Sequence, residues 1–327
     1  MNKYVLGIDQ STQGTKGLLF DEKGALVCRA DLPHKQYIDE RGWVEHDPEE
    51  IYANTLQVVK NLIEKAGIDK KEISVLGISN QRETALVWDR KTGKPVYNAV
   101  VWQCARGSEI CKKIAAEYEN AEELVRSHTG LQLSPYFSAA KIAWVLQNVP
   151  GAQEKADRGE LCCGTIDSWL VYKLTGGREF RTDYSNASRT QMFHIGELAW
   201  DPEVCGLFGI PVSCLAEVTD SDGEYGTTDF DGYLDAPIPI RGVLGDSHGA
   251  LFGQGCIETG MLKTTYGTGS SIMMNIGKKP VYSNRVVTSL AWKLNGEVNY
   301  VLEGNINYTG AVITLSLIHI SEPTRPY

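Results

Sequence analysis

An apolar run from Tyr4 to Ile8 ends in Asp9, a polar stretch through Ser11, Thr12, Gln13, Gly14, Thr15 and Lys16 follows, and a second apolar run, Gly17 to Phe20, closes the unit. This pattern predicts strand, turn, strand. Asp21–Gly24 then makes a tight turn into a third strand, Ala25 to Ala30, so three meandering antiparallel strands open the fold. A helix is predicted next, with Asp47 as N-cap, Pro48 at the first helical position and Glu50 completing a capping box. Ile51, Leu56, Val59, Leu62, Ile63 and Ala66 form its apolar stripe, and Gly67 stops it. Ile73–Ser79 is the near-continuous apolar run of a strand buried on both faces. Thr84–Trp88 and Ala99–Trp102 read as further strands, joined through the turn Arg90–Gly93.

Residues 105–175 read mostly as helix, with one apolar face over Ser138–Val149 and a second short helix, Ile166–Leu174, ended by Gly176 and Gly177. From Ile238 the pattern restarts as a strand, a Gly245-Asp246-Ser247 turn and a small-residue stretch to Gly255. Met261–Thr265, a Gly267-Thr268-Gly269 turn and Ser271–Asn275 repeat the plan of the N-terminus, which suggests two related halves, the second beginning near residue 251. Up to Thr314 the chain reads as the start of a helix, and LSLIHISEPTRPY follows. Two hairpins and one helical turn cannot close a core, so the second half is expected to be incomplete. Leu315–Arg325 resembles a translated sequencing adapter, and residues 315–327 are read as a non-native tail.

Length and composition narrow the class. With 327 residues the chain has material for about two domains of roughly 150 residues. A hydrophobic share of 42% and a charged share of 22% are those of an ordinary soluble protein. The net charge of −9, with no local basic run, argues against nucleic acid or an anionic membrane as partner. No stretch approaches the ~18 apolar residues of a membrane span, and the N-terminus enters a strand with no signal-peptide pattern. Eight scattered cysteines without a C-x-x-C read as reduced thiols of a cytoplasmic protein. Asn186-Ala187-Ser188 fits a glycosylation sequon by chance, and the six histidines show no metal-ligand spacing.

Polar clusters recur at predicted strand ends: Asp9–Lys16, Asn80–Thr84, Trp102–Arg106 and Gly245–Gly249, and ligands of α/β folds bind outside strand ends. The first turn offers backbone N–H groups, hydroxyls and a cation to an anion, while Asp9 offers oxygens to a divalent metal. Tyr266–Gly269 is a second glycine-hydroxyl turn. Each feature also has a plain structural reading. Hairpin turns carry Ser, Thr and Gly without any ligand. Arg82 with Glu83 reads as a surface ion pair, Trp102 and Tyr136 as core aromatics, and Asp246 as a helix N-cap.

Five motifs in order decide between these readings: GWVEHDPEEI at 42–51, SNQRET at 79–84, TGKPVYNAVVWQC at 92–104, DYSNASRT at 183–190 and TYGTG at 265–269. With them the chain, from residue 4 to about 314, resembles the FGGY carbohydrate kinases, and among them the glycerol kinases. The resemblance implies an α/β actin-like ATPase fold, two ribonuclease-H-like domains with ATP between them. Residues 1–250 would be the N-terminal domain and 251–314 the beginning of the ATP-binding C-terminal domain. It implies Mg2+-dependent transfer of the ATP γ-phosphoryl group to a polyol hydroxyl, with small molecules as partners and a homo-oligomer left open. By motif, Arg82, Glu83, Trp102, Tyr136 and Asp246 would line the polyol pocket. Arg82 would donate in a fork to vicinal hydroxyls, Glu83 would accept from them, and Trp102 would cover the carbon chain. Asp246 would be the general base. Asp9 would position Mg2+, and Thr12, Gln13, Gly14, Lys16, Gly267, Thr268 and Gly310 would lie at the nucleotide phosphates.

The departures from the family pattern matter as well. Ser247 stands where glycerol kinases carry glutamine, and Ser270-Ser271 where they carry an aromatic, which suggests a roomier pocket. Lys16 replaces an arginine, and Gln13 and Gly14 replace hydroxyl residues. Competing readings are a xylulose-type kinase of the same family and a non-catalytic actin-like nucleotide switch. A serine hydrolase built on Ser247 and His248 is rejected, because adjacent residues do not present a triad and no G-x-S-x-G is present. For the 327-residue chain itself, weak nucleotide affinity and no turnover are expected.

Overall fold

A computed structural model describes residues 3–266 and 270–306. Its first three strands, Tyr4–Ser11, Gly14–Phe20 and Leu26–Pro33, form the expected antiparallel meander. Asp9 stands opposite Lys16, and Ser11 opposite Gly14. The third strand runs on to Pro33, past the end of the apolar run. On the other side of the first strand lies Ile73–Asn80, parallel to it, and beyond that Ile238–Gly245, again parallel. Thr227–Thr228 completes this six-stranded sheet at one edge. Because the three parallel strands point the same way, their C-terminal ends meet: Gln10 pairs with Asn80, and Asn80 with Gly245. The topology thereby gathers polar clusters that lie far apart in the chain.

The helix Pro48–Ala66 forms for the reasons its sequence gives. Asp47 accepts a hydrogen bond from the Glu49 amide, and Gly67 ends the helix in the left-handed region at φ 65°. Glu50 does not complete the capping box. Its carboxylate accepts from the Lys35 amide of the preceding segment and so ties that segment to the helix. Ile51, Val58, Val59 and Leu62 are fully buried in one core with Leu6, Leu19, Leu76 and Ile240, each removed from water at about 25 cal/mol per Å² of apolar surface. Leu56 and Ala66 are half-buried at the stripe's margins.

The span 105–175 is mostly helix, as expected, with one strand inside it. Helices Ser108–Glu117, Ala121–Thr129, Ser138–Asn148, Ala152–Asp157 and Ile166–Leu174 are interrupted by a strand, Leu161–Thr165. That strand pairs with Ala85–Asp89 in a five-stranded sheet with Tyr37–Ile38, Val44–His46 and Ala99–Val100. Its sequence, LCCGT, carries one β-branched residue, so only tertiary pairing marks it as a strand. Gly245-Asp246-Ser247 is likewise not a turn. Asp246–Gly253 is a helix, with Gly245 in the N-cap place, and residue 251 falls inside it. Its glycines lower helix propensity, and the burial of Leu251 against Met273 and Trp292 holds it in place.

A third sheet of four antiparallel strands, Leu262–Tyr266, Ser270–Gly277, Val287–Leu294 and Glu297–Ile306, contains the two paired strands expected of the second unit. Gly267, Thr268, Gly310 and the segment 315–327 lie outside the described residues. The sheet docks through Leu290 and Tyr300 onto Phe193 and Ile195. All eight cysteines are free thiols, seven of them buried. Among the described residues no helix is long and apolar enough to cross a membrane.

One buried acid sets a pH dependence. Burial, with Asp183 beside it, pushes the Asp167 carboxyl up to about 6, against the opposing bonds from Thr165 and Thr182. The native state therefore holds this proton more tightly than the unfolded chain. The contribution to stability is present below pH ~4 and is lost as pH rises to about 6. Asp167→Asn is expected to flatten the stability profile across that window in urea titrations at several pH values. An unchanged profile would refute the assignment.

Candidate functional site

The converging strand ends are braced by amides. Asn80 and Asn186 exchange side-chain hydrogen bonds at 3.0 Å each, and Gln81 donates to the Gln10 side chain at 3.0 Å. Thr84 Oγ1 donates to Gln81 and accepts from the Trp102 amide. Between these braces Glu83 adopts φ 59°, a left-handed conformation that a non-glycine residue enters at a cost of order 1–3 kcal/mol. Such strain persists where surrounding contacts over-determine it, and Glu83 is held on both sides. Its carbonyl accepts from Ser138, and its carboxylate lies 2.6 Å from Arg189 Nε.

Arg82 and Glu83 are not a surface pair. They are 6% and 2% exposed and belong to a buried charge cluster. Glu303, reaching in from the third sheet, accepts both terminal nitrogens of Arg82, at 2.9 and 2.8 Å, and stands 3.0 Å from Arg189 Nη1. The guanidinium fork that the sequence offers to vicinal hydroxyls is thus already occupied. What remains is Nε of Arg82, a buried donor without a hydrogen-bond partner, 3.2 Å from Asp246 Oδ1. Burial alone would raise the Glu303 carboxyl, but Arg189 and Arg82 outweigh it and hold it well below the usual carboxylate range. Ser271, one of the residues that suggested a roomier pocket, donates its hydroxyl to Glu303 at 3.0 Å.

Asp246 sits at the first position of its helix, and its side chain keeps 41% of its surface accessible. The atoms packed around it push its carboxyl up, Arg82 pulls it down and Glu83 raises it again, leaving it above the ordinary aspartate value. It is thus an accessible base of raised proton affinity, ion-paired with an Arg82 Nε that makes no hydrogen bond. His248, two residues on, is held neutral by burial and lies 3.2 Å from Ser289 Oγ.

The aromatic residues are positioned with these groups. Trp102 meets Tyr136 edge to face with ring centroids 5.7 Å apart. The Trp102 indole N–H donates to Thr12 Oγ1 at 2.9 Å, which joins the aromatic pair to the first hairpin turn. Lys141, fully buried, donates to the carbonyls of Pro135, Tyr136 and Phe137 and fixes the segment that carries Tyr136. In the hairpin, Lys16 Nζ lies 2.7 Å from Asp9 Oδ2, and Ser79 donates to Asp9 Oδ1 at 3.2 Å. Gln13 is exposed, and its carbonyl accepts from the His34 amide. Gly14 lies so close to the third strand that a Cβ would stand 2.4 Å from the Leu32 carbonyl oxygen, a packing reason for glycine there.

The structure therefore brings together Asp9, Thr12, Lys16, Arg82, Glu83, Trp102, Tyr136 and Asp246. Sequence reasoning missed Arg189, Glu303 and Lys141. Arg189 stands inside the DYSNASRT motif, which was the available signal. Glu303 and Lys141 carried none beyond being charges within apolar surroundings.

Comparison with known proteins shows the family and the fold. The chain is 53% identical over 311 residues to glycerol kinase 1 of Thermotoga maritima, covering 95% of this chain and 63% of that protein. It is 51% identical to the glycerol kinase of Carboxydothermus hydrogenoformans, covering 95% and 62%. The crystal structure of Plasmodium falciparum glycerol kinase with ADP superposes with a TM-score of 0.90 at 37% identity, over 97% of this chain and 64% of that one. A ligand-bound xylulose kinase from Lactobacillus acidophilus shares the fold, with a TM-score of 0.85 at 19% identity. The chain thus spans about 63% of the length of the curated relatives it matches, and its α/β architecture is that of the actin-like ATPases. Residues 4–253 match the N-terminal domain of the FGGY family of carbohydrate kinases, and the chain belongs to that family.

Proposed function

We propose that this chain is the larger part of an ATP-dependent kinase that phosphorylates a polyol hydroxyl, converting glycerol to glycerol 3-phosphate. The observation that carries the reading is the ion pair, at 3.2 Å, of an accessible base, Asp246, with an Arg82 Nε that makes no hydrogen bond. An unsatisfied buried donor costs about 1–3 kcal/mol, and a substrate hydroxyl lying against the pair can accept from Nε and donate to the carboxylate. Asp246 accepts the proton of that hydroxyl as its oxygen attacks the γ-phosphoryl group. Glu83 and the Arg82 Nε orient the polyol, and Trp102 with Tyr136 covers its carbon chain.

The nucleotide phosphates are assigned to the hairpin turn of Thr12, Gln13, Gly14 and Lys16, and to Gly267, Thr268 and Gly310. Asp9 offers the carboxylate that Mg2+ needs, since this ion takes one or two carboxylates, waters and phosphate oxygens. Its oxygens are held by Lys16 and Ser79, and Lys16 turning to a phosphate would free one of them. When bound, Mg2+ supplies charge neutralisation at the transferring phosphoryl group. By the same reading residues 1–250 form the N-terminal domain, 251–314 begin the C-terminal one and 315–327 are a non-native tail.

The test is ADP release by the full-length enzyme carrying this sequence, with glycerol, erythritol and xylulose as acceptors. A clear preference for glycerol is expected. A preference for xylulose would move the assignment to a ketose kinase, and ADP release independent of any acceptor would move it to a nucleotide switch.

A further inference from the structure

Three residues that no part of the kinase reading uses meet at the hairpin Phe193–Trp200. His128 lies near the end of the helix Ala121–Thr129, His194 ends a short strand, and Asp201 caps the helix Pro202–Leu207. His128 Nδ1 stands 2.6 Å from Asp201 Oδ2, and the two imidazole rings lie 4.6 Å apart between centroids. One ligand atom from each residue falls within 4.8 Å of the other two. The three side chains come from three separate elements, so no spacing in the sequence announces them.

We propose that His128, His194 and Asp201 form a binding site for a divalent transition metal of the zinc, cobalt or nickel class, with water completing the shell. Two imidazoles and one carboxylate are a donor set that these ions take, and that Mg2+ and Ca2+ do not favour. The carboxylate is pre-oriented: Asp201 Oδ1 accepts from the Glu203 and Val204 amides, which leaves Oδ2 facing His128. Among the described residues Asp201 has no lysine or arginine partner that would compete with a cation. The site is also reachable, since the His128 side chain is 28% exposed and His194 is half-buried.

Proton positions follow from the contacts. The proton that His128 places between Nδ1 and Asp201 moves to its outer nitrogen when the metal takes Nδ1. His194 Nδ1 accepts from the Gly196 and Glu197 amides. Through whichever nitrogen His194 binds, its Nδ1 lone pair ceases to receive those amides. Gly196 and Glu197 are exposed, so water replaces the lost acceptor at little cost. The ion would join three elements at the place where Phe193 and Ile195 carry the third sheet. A metal that binds the folded state alone raises its melting temperature.

The experiment uses untagged, EDTA-treated protein without nucleotide. Zn2+ is expected to raise the melting temperature, Co2+ to give ligand-field absorption bands, and Mg2+ to do neither. His194→Asn and His128→Gln should each weaken Co2+ binding by roughly tenfold or more while melting as the parent does without metal. Two variants guard against one that fails to fold. An unchanged melting temperature with no cobalt bands overturns the proposal, and so do variants that bind Co2+ as tightly as the parent, which would place the ion on a cysteine or elsewhere.

Discussion

Replacing Glu303 by alanine is expected to destabilise the protein by about 3–5 kcal/mol, because it strips the partner from two buried arginines. Arg82 and Arg189 are 6% and 1% exposed and share this carboxylate. Only Glu83 and the partly accessible Asp246 would remain to balance them. Glu303→Gln keeps the shape and an acceptor oxygen but removes the charge, so its loss should fall between that of alanine and the parent. Urea unfolding of the three proteins measures this. A Glu303→Ala loss below about 0.5 kcal/mol, the range of ordinary surface substitutions, would show that the cluster is not a unit. The effect matters beyond stability, since Glu303 comes from the third sheet and Arg82 from the bend just after the strand Ile73–Asn80 of the first. Their bond is a charged contact through which the two sheets meet at the candidate site.

In the full-length kinase, Asp246→Asn should lower kcat by about two to four orders of magnitude, the usual contribution of a general base, with little change in polyol affinity. Asparagine preserves the size and one acceptor oxygen but takes no proton. The raised carboxyl of Asp246 also predicts that activity grows as pH rises through its titration, because only the ionised form is a base. A loss under tenfold, with the pH profile unaltered, would leave Asp246 as a helix-end residue and require another base.

Much of the fold was legible because its signals are local. The hairpin strands, the cap at Asp47 and the stop at Gly67 follow from alternation, capping and a left-handed glycine. What failed is what tertiary pairing decides. Leu161–Thr165 has too little strand character to be seen without Ala85–Asp89 beside it. The glycine-rich helix Asp246–Gly253 reads as a turn until Leu251 has a core to enter. Glu50 chose a distant amide over its own helix end. The candidate site shows the same division. Arg82, Glu83, Trp102 and Asp246 were legible through motifs, yet the partner that occupies the fork of Arg82 lies 221 residues away. The triad of His128, His194 and Asp201 was invisible for the same reason, because three elements must fold before it exists.

The bond from the Trp102 indole to Thr12 has a thermodynamic consequence. One residue is assigned to the acceptor's carbon chain and the other to the donor's phosphates. A phosphate that accepts the Thr12 O–H leaves the hydroxyl oxygen accepting from the indole and polarises that bond, so the affinity for polyol changes by some factor. Linkage then requires polyol to change the affinity for nucleotide by the same factor. Trp102→Phe, which keeps the ring and deletes the donor, would uncouple the two ligands without emptying either site.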